Sequence, residues 1–419
     1  MAQTAKECYL TKMKNNMQNR EKLSALILVS LSLIGALSTW FSATVILPEL
    51  SIIADLNDVE KVWLTNGVQL GFVIGALIIA FFNISDIFIL TNLIAFCCVI
   101  AACANLLLLF SSNGDQIIIL RILTGAALAG VYPPSVKLIA TWFKTGRGIA
   151  MGTIIGALTI GSAFPHLLRA LAAETEWEPV IWGSSAATFF AGIVFAFLVR
   201  EGPFAFARTK FDPTQIFQVV RNRALALVNI GYLGHMWELY AMWAWFLTFA
   251  RLSSHKFETF PLNSPEYLSF TVVSAGGLGC IVAGYLSDIY GRCLTTAGLM
   301  LTSGLCAFFI GFSVDLSAFI FTLIAIIWGA TIIADSGQFS AAVTELSDQK
   351  LVGTALTFQM AIGFGITILA VWLVPTVAKN LDNFQWAFLI LVPGPFIGAL
   401  AMLTLRRKPE ALLLASGKR

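Results

Sequence analysis

The sequence predicts an all-α membrane protein of twelve transmembrane helices in two pseudo-symmetric six-helix bundles, on three observations. The 419 residues are 58% hydrophobic and only 12% charged, with mean hydropathy +0.83, where soluble domains carry about 25% charged residues. The apolar residues fall in twelve runs, near 24–47, 62–82, 87–110, 117–142, 148–171, 180–199, 224–250, 267–287, 294–314, 317–340, 352–377 and 385–405. Each is close to the roughly 20 residues that cross about 30 Å of hydrocarbon. The longest polar interruption between runs, 200–223, separates the sixth from the seventh. The chain therefore divides into a tail (1–23), a first bundle (24–199), a linker (200–223), a second bundle (224–405) and a second tail (406–419).

The first run is too long for a cleaved signal peptide, and Ser42-Ala43-Thr44 leads into more apolar sequence rather than a cleavage site. The formal charge of +3 is dispersed, which argues against nucleic-acid binding. The seven cysteines show no CxxC pairing and no histidine at metal-ligand spacing, so neither a metal nor any other cofactor is expected. There is no Walker A pattern, which disfavours an ATP-driven pump. Three histidines without a nucleophile–base cluster disfavour a membrane enzyme.

Basic residues set the expected direction of the spans. With the N-terminus cytoplasmic, nineteen of the 26 Lys and Arg fall in cytoplasmic segments and five outside, with Arg121 and Lys137 inside a span. Both termini and residues 200–223 are then cytoplasmic, in what is expected to be a bacterial inner (plasma) membrane.

The two halves echo one another. Asn83-Ile84-Ser85-Asp86-Ile87 follows span two and Tyr285-Leu286-Ser287-Asp288-Ile289 follows span eight, offset by 202 residues. Arg147-Gly148-Ile149-Ala150 and Val352-Gly353-Thr354-Ala355 each open the fifth span of a half. Gly284-Tyr285-Leu286-Ser287-Asp288-Ile289-Tyr290-Gly291-Arg292 matches the G-x-L-x-D-x-x-G-R loop of the major facilitator superfamily of secondary transporters, which the chain resembles over essentially its whole length. The first-half copy keeps Asp86 but lacks the glycine and arginines. Arg121, Gly125 and Gly130 look like that family's fourth-helix motif. The stretch from Tyr132-Pro133-Pro134 to Arg147-Gly148-Ile149-Ala150-Met151-Gly152 is similar to its organic-anion and nitrate-type branches. Span five lacks the Gly-Pro step of drug:proton antiporters.

Charges inside spans are costly and mark function by default. Span seven carries Tyr232, His235, Glu238, Tyr240, Met242, Trp243 and Trp245, with His235 and Glu238 three apart on one face. A carboxyl at mid-membrane loses much of its hydration and can exchange a proton. Glu238 is thus the candidate proton carrier, with His235 and Asp335 beside it, unless Glu238 forms a permanent structural pair. Arg121 either attracts an anion or pairs with a neighbouring acid. Asp335 is placed in the cytoplasmic half of span ten, and His166 and Arg169 at an interface.

The resemblance implies that helices one, four, seven and ten line a central cavity. It nominates Trp40, Arg121, Tyr132, Tyr232, Trp245, Trp328 and Gln338 for the solute, alongside His235, Glu238 and Asp335. It also implies a gating loop of Gly284, Asp288, Gly291 and Arg292, with Asp86 as its weaker copy. The function expected is not enzymatic. It is proton-coupled uptake of a small organic anion or zwitterionic metabolite, with a proton-driven exporter or a non-transporting sensor as alternatives. The expected partners are solute, protons and lipid, with no obligate protein partner.

Overall fold

The computed structural model describes residues 2–143, 147–172, 176–204, 216–348 and 351–419, with side chains described from Arg20 onward. The side chains of Asp86, Arg147, Gly148 and Ile216 lie outside that description, as do Lys144, Lys350 and residues 205–215 of the linker, Arg208 and Lys210 among them. All regular structure among the described residues is helical. Twelve spans run in order: α1 (Ala2–Leu37), α2 (Asp58–Phe81), α3 (Leu90–Leu106), α4 (Gly114–Ala129 with Tyr132–Ala140), α5 (Arg147–Leu171) and α6 (Glu178–Phe197) form the first half. The second half holds α7 (Arg223–Ser253), α8 (Pro265–Tyr290), α9 (Arg292–Ser313), α10 (Ala318–Ile332 with Ser336–Leu346), α11 (Val352–Asn380) and α12 (Phe384–Leu391 running into Pro393–Arg406). An even number of crossings puts both termini at one end of the molecule, the terminal end. The opposite end is the far end.

Side-chain caps mark where spans begin. At the far end, Asn57 and Glu60 form a capping box on α2, Asn113 caps α4, Ser264 caps α8, Ser317 caps α10 and Asn383 caps α12. Each supplies an acceptor to backbone N–H groups that have no partner in the first turn, about 1 kcal/mol apiece. At the terminal end Asn222 caps α7, and the Leu90 N–H of α3 is met by Glu201 Oε1 at 2.7 Å.

Three spans are interrupted within their length. α1 ends at Leu37, and only after Ser38–Phe41 does a short helix, Ser42–Val45, resume. α4 breaks at Gly130–Val131, just before Tyr132-Pro133-Pro134, because proline cannot donate to the preceding turn. α10 breaks at Ile333–Asp335. Broken helices survive at membrane depth only where other groups satisfy the freed carbonyls.

Small residues let the helices close in, since packing rather than water drives association in lipid. A Cβ on Gly125 would lie 2.0 Å from the Val68 carbonyl of α2, and one on Gly329 would lie 1.8 Å from the Val272 carbonyl of α8. The α2–α4 and α8–α10 contacts are thus the same joint in each half. A third glycine contact, Gly156 of α5 against Gly277 of α8, lies between the halves. There a side chain would obstruct any sliding of one half on the other.

Candidate transport site

In the first half, Arg121 is fully buried, and its guanidinium is spent on backbone. Its Nε donates to the Leu64 carbonyl at 3.0 Å, Nη1 to the Thr39 carbonyl at 3.0 Å, and Nη2 to the Trp40 carbonyl. Thr39 and Trp40 are the residues where α1 is unwound, so Arg121 supplies the donors that the broken helix lacks. Around it Ser42 donates to Asn105 Oδ1 at 2.5 Å, and the Asn105 amide donates to Ser184 and Ser185 at 3.1 and 2.9 Å. The expected acidic partner is absent among the described residues, and the Arg121 donors are taken up by carbonyls. Five planar donors suit several carbonyls converging from different directions.

In the second half, Glu238 is 1% exposed. Its Oε1 accepts from Trp328 Nε1 at 2.6 Å and its Oε2 from Ser303 Oγ at 2.8 Å. No basic residue pairs with it among the described residues. It does not pair with His235 either, although they share a helix face. His235 Nδ1 instead lies 2.8 Å from Asp335 Oδ1, close enough for an ion pair but without the alignment of a linear hydrogen bond. Tyr232 stacks on His235 at 5.9 Å, and Phe339 lies 5.7 Å from it. Asp335 lies at the break between the two parts of α10, just past mid-length on the side toward the terminal end as expected, and is 2% exposed. Glu238 faces α9 and α10 rather than the other half. Tyr240, two residues on and therefore on roughly the opposite side of the helix, is the residue that crosses the seam.

That seam is sealed toward the far end by aromatic rings. Trp40 and Phe72 of the first half meet Tyr240 and Phe364 of the second, with centroids 5.6 Å apart for Trp40–Tyr240 and 4.4 Å for Phe72–Phe364. Phe41 packs edge-on to Trp243 at 6.0 Å. Above the rings Asn66 donates across to the Ile368 carbonyl at 3.1 Å, and Lys379 reaches Asp58 at 2.9 Å.

Of the residues expected to line a cavity, only Trp40 is brought to this seal. Tyr232 faces α11 through Gly363, and Tyr132 is partly buried just past the α4 break. Trp245 donates to the Val371 carbonyl at 2.8 Å and packs on Phe384, Trp328 is bound to Glu238, and Gln338 belongs to the loop network below. These three are held inside the second half. His166, near the far end of α5, is buried at 3% exposure, while Arg169 pairs with Glu49 at 2.7 Å.

The loop that the resemblance nominates as a gate is held mainly through Arg292. Arg292 pairs with Glu345 of α10, through Nε at 2.7 Å and Nη2 at 2.5 Å, while its Nη1 reaches Gln338 at 2.8 Å and Ser287 at 3.3 Å. Gly284 is buried, and Gly291 turns the chain at φ +88°, where a side chain would be strained. The Asp288 side chain is exposed and pairs with no base among the described residues. The Asp86 side chain lies outside the described residues. Sequence reasoning missed Glu345. Its only signal was an acid at the terminal end of span ten, about two turns past Gln338.

Two six-span halves, broken helices at mid-membrane and an aromatic seal between the halves define a polytopic carrier fold. The chain belongs to the Major Facilitator Superfamily, whose model matches residues 29–363. It is a multi-pass membrane protein of a transporter family, not an enzyme. It is 26% identical over 175 residues to the MFS-type transporter pytF of Aspergillus terreus (strain NIH 2624 / FGSC A1156), a match covering 41% of this chain and 56% of that relative. The chain thus matches little more than half the length of that relative. Among solved structures it is similar to a D-xylose-proton symporter, with TM-score 0.69 and 15% identity over 92% of this chain and 98% of that one. It is also similar to a mutant form of the nucleoside transporter NupG, with TM-score 0.68 and 16% identity over 92% of this chain and 99% of that one. At these identities the two structures show the shared fold alone.

Proposed function

We propose that the protein is a proton-coupled secondary transporter that takes up a small organic solute by alternating access, with both termini in the cytoplasm. The observation that carries this reading is Glu238, a carboxyl at the middle of α7 held only by neutral donors. An ionised carboxylate there has no cation to offset its desolvation, so its charge state must change with access to water. The His235–Asp335 pair, 2.8 Å apart, lies in the same half. The excess of basic residues at the terminal end supports the orientation.

The sequence favoured an anionic or zwitterionic solute. With Arg121 committed to carbonyls, the anionic form loses its candidate cation, and we narrow the reading to a zwitterionic or neutral solute. Such a solute would offer hydrogen-bonding groups and one flat or apolar face to the aromatic seam. The sugar and nucleoside handled by the two structurally similar transporters fit the neutral form of this description. Purified protein in proteoliposomes, given labelled D-xylose, uridine, alanine and lactate with and without an inward proton gradient, tests it. Gradient-driven accumulation of a neutral or zwitterionic solute is expected. Accumulation of lactate alone would contradict the narrowed reading, and no flux of any solute would favour a sensor.

A further inference from the structure

The C-terminal segment Pro409–Gly417 folds back onto the loop between α8 and α9 instead of trailing from the last span. Ala411 and Leu414 are fully buried. The Ala415 N–H donates to Glu345 Oε2 at 3.0 Å, the same carboxylate that holds Arg292. The Lys418 ammonium donates to the Asp288 carbonyl. The carbonyls of Lys418 and Arg419 lie within 2.4 Å of where a Cβ on Gly291 would stand, so only glycine admits the segment there.

The segment reaches this position at a conformational cost. Ala415, Ser416 and Gly417 all have positive φ, at 46°, 57° and 94°. For the two that are not glycine this costs about 1 kcal/mol or more each, and such residues persist only where surrounding contacts hold them. A tail with no role in this conformation would relax out of it. The loop it covers is the one read above as a gate, on which this inference depends. With the far end sealed, the Asp288 carboxylate is exposed and free to engage the first half when the terminal end closes. The Lys418 ammonium already sits on that residue's own carbonyl.

We propose that residues 409–419 are an intramolecular strap that competes with the first half for the Asp288–Arg292 loop, holding the carrier with its far end sealed until the strap is released. Release frees Glu345 from one of its donors and clears Gly291, so the terminal end can close and the far end open. The strap is thus an autoinhibitory contact, and transport requires that it cycle.

The opening of the far end can be read without knowing the solute. Spin labels at Ile52→Cys and Leu316→Cys, exposed far-end positions on the two halves, report their separation by pulsed dipolar spectroscopy. The measurement uses full-length protein in lipid nanodiscs, with the native cysteines replaced by serine. Removing residues 409–419 is expected to raise the far-open population about tenfold, the worth of one charge-assisted hydrogen bond and a buried leucine. If the truncated chain does not fold, Leu414→Gln with Lys418→Ala is expected to give a rise of about threefold from the same contacts. An unchanged distance distribution in the variant that folds overturns the strap. Asp288→Asn in the released background tests the gate separately and is expected to return the population toward the sealed state. If release opens the far end but Asp288→Asn does not reverse it, the strap stands and the gate reading of Asp288 fails.

Discussion

The two halves share a fold but treat buried charge in opposite ways. The first half buries a cation, Arg121, and ties it to three backbone carbonyls. A guanidinium does not titrate in the working range, so this charge is fixed and braces the unwound stretch of α1. The second half buries two carboxyls, Glu238 and Asp335, one held by neutral donors and the other against a histidine. Neither carboxyl is paired with a lysine or arginine among the described residues. The difference suggests a division of labour within a pseudo-symmetric frame, in which one half is the brace and the other carries the proton.

The largest effect expected from this contrast lies in the first half. Arg121→Met should prevent accumulation of folded protein, because it strands several carbonyls where no water can reach them, at a cost of several kcal/mol. Detergent-solubilised yield and melting temperature check it. A methionine variant that folds with near-normal melting would show that Arg121 is not a brace, and the contrast would collapse. The smallest effect should come from charges outside the membrane. Asp315 accepts from the Gln385 side chain at 2.6 Å and pairs with Lys256 at 3.0 Å, and these contacts hold its carboxyl below the usual range. A lowered value means the contribution is complete above the ordinary carboxylate range and fades only as pH falls through the lowered one. Asp315→Asn should therefore lower the melting temperature at pH 7 by a few degrees at most, and the gap to wild type should close only at strongly acid pH. A large loss at neutral pH would mean that the far-end surface, too, carries structural charge.

The spans were readable from the sequence because hydropathy reports burial in lipid directly. All twelve runs became helices, and Gly125 of the fourth-helix motif became a close contact on α2. The partners of the buried charges were not readable. Arg121 is satisfied by carbonyls, which every residue carries, so no residue pattern announces them. Glu238 is held by Ser303 and Trp328, 65 and 90 residues away, and three-residue spacing on a helix said only that it shared a face with His235. Glu345 and the docked tail escaped notice because their significance lies in a chain reversal after the last span. The aromatic seal was half visible. Trp40 was chosen, but Phe72 and Phe364 look like any other phenylalanine in a lipid-facing run.

The division of labour is tested most directly by Glu238→Gln, assayed in proteoliposomes with whichever solute the wild type accumulates. Glutamine keeps the shape, its carbonyl oxygen can still accept from Trp328 and its amide can donate to the Ser303 hydroxyl, but it cannot titrate. The account predicts that accumulation driven by the proton gradient collapses, that solute exchange without a gradient survives, and that the melting temperature shifts little. Accumulation with the wild-type pH dependence would contradict it, by removing Glu238 from the coupling and moving the search to Asp335, the other buried acid of that half among the described residues.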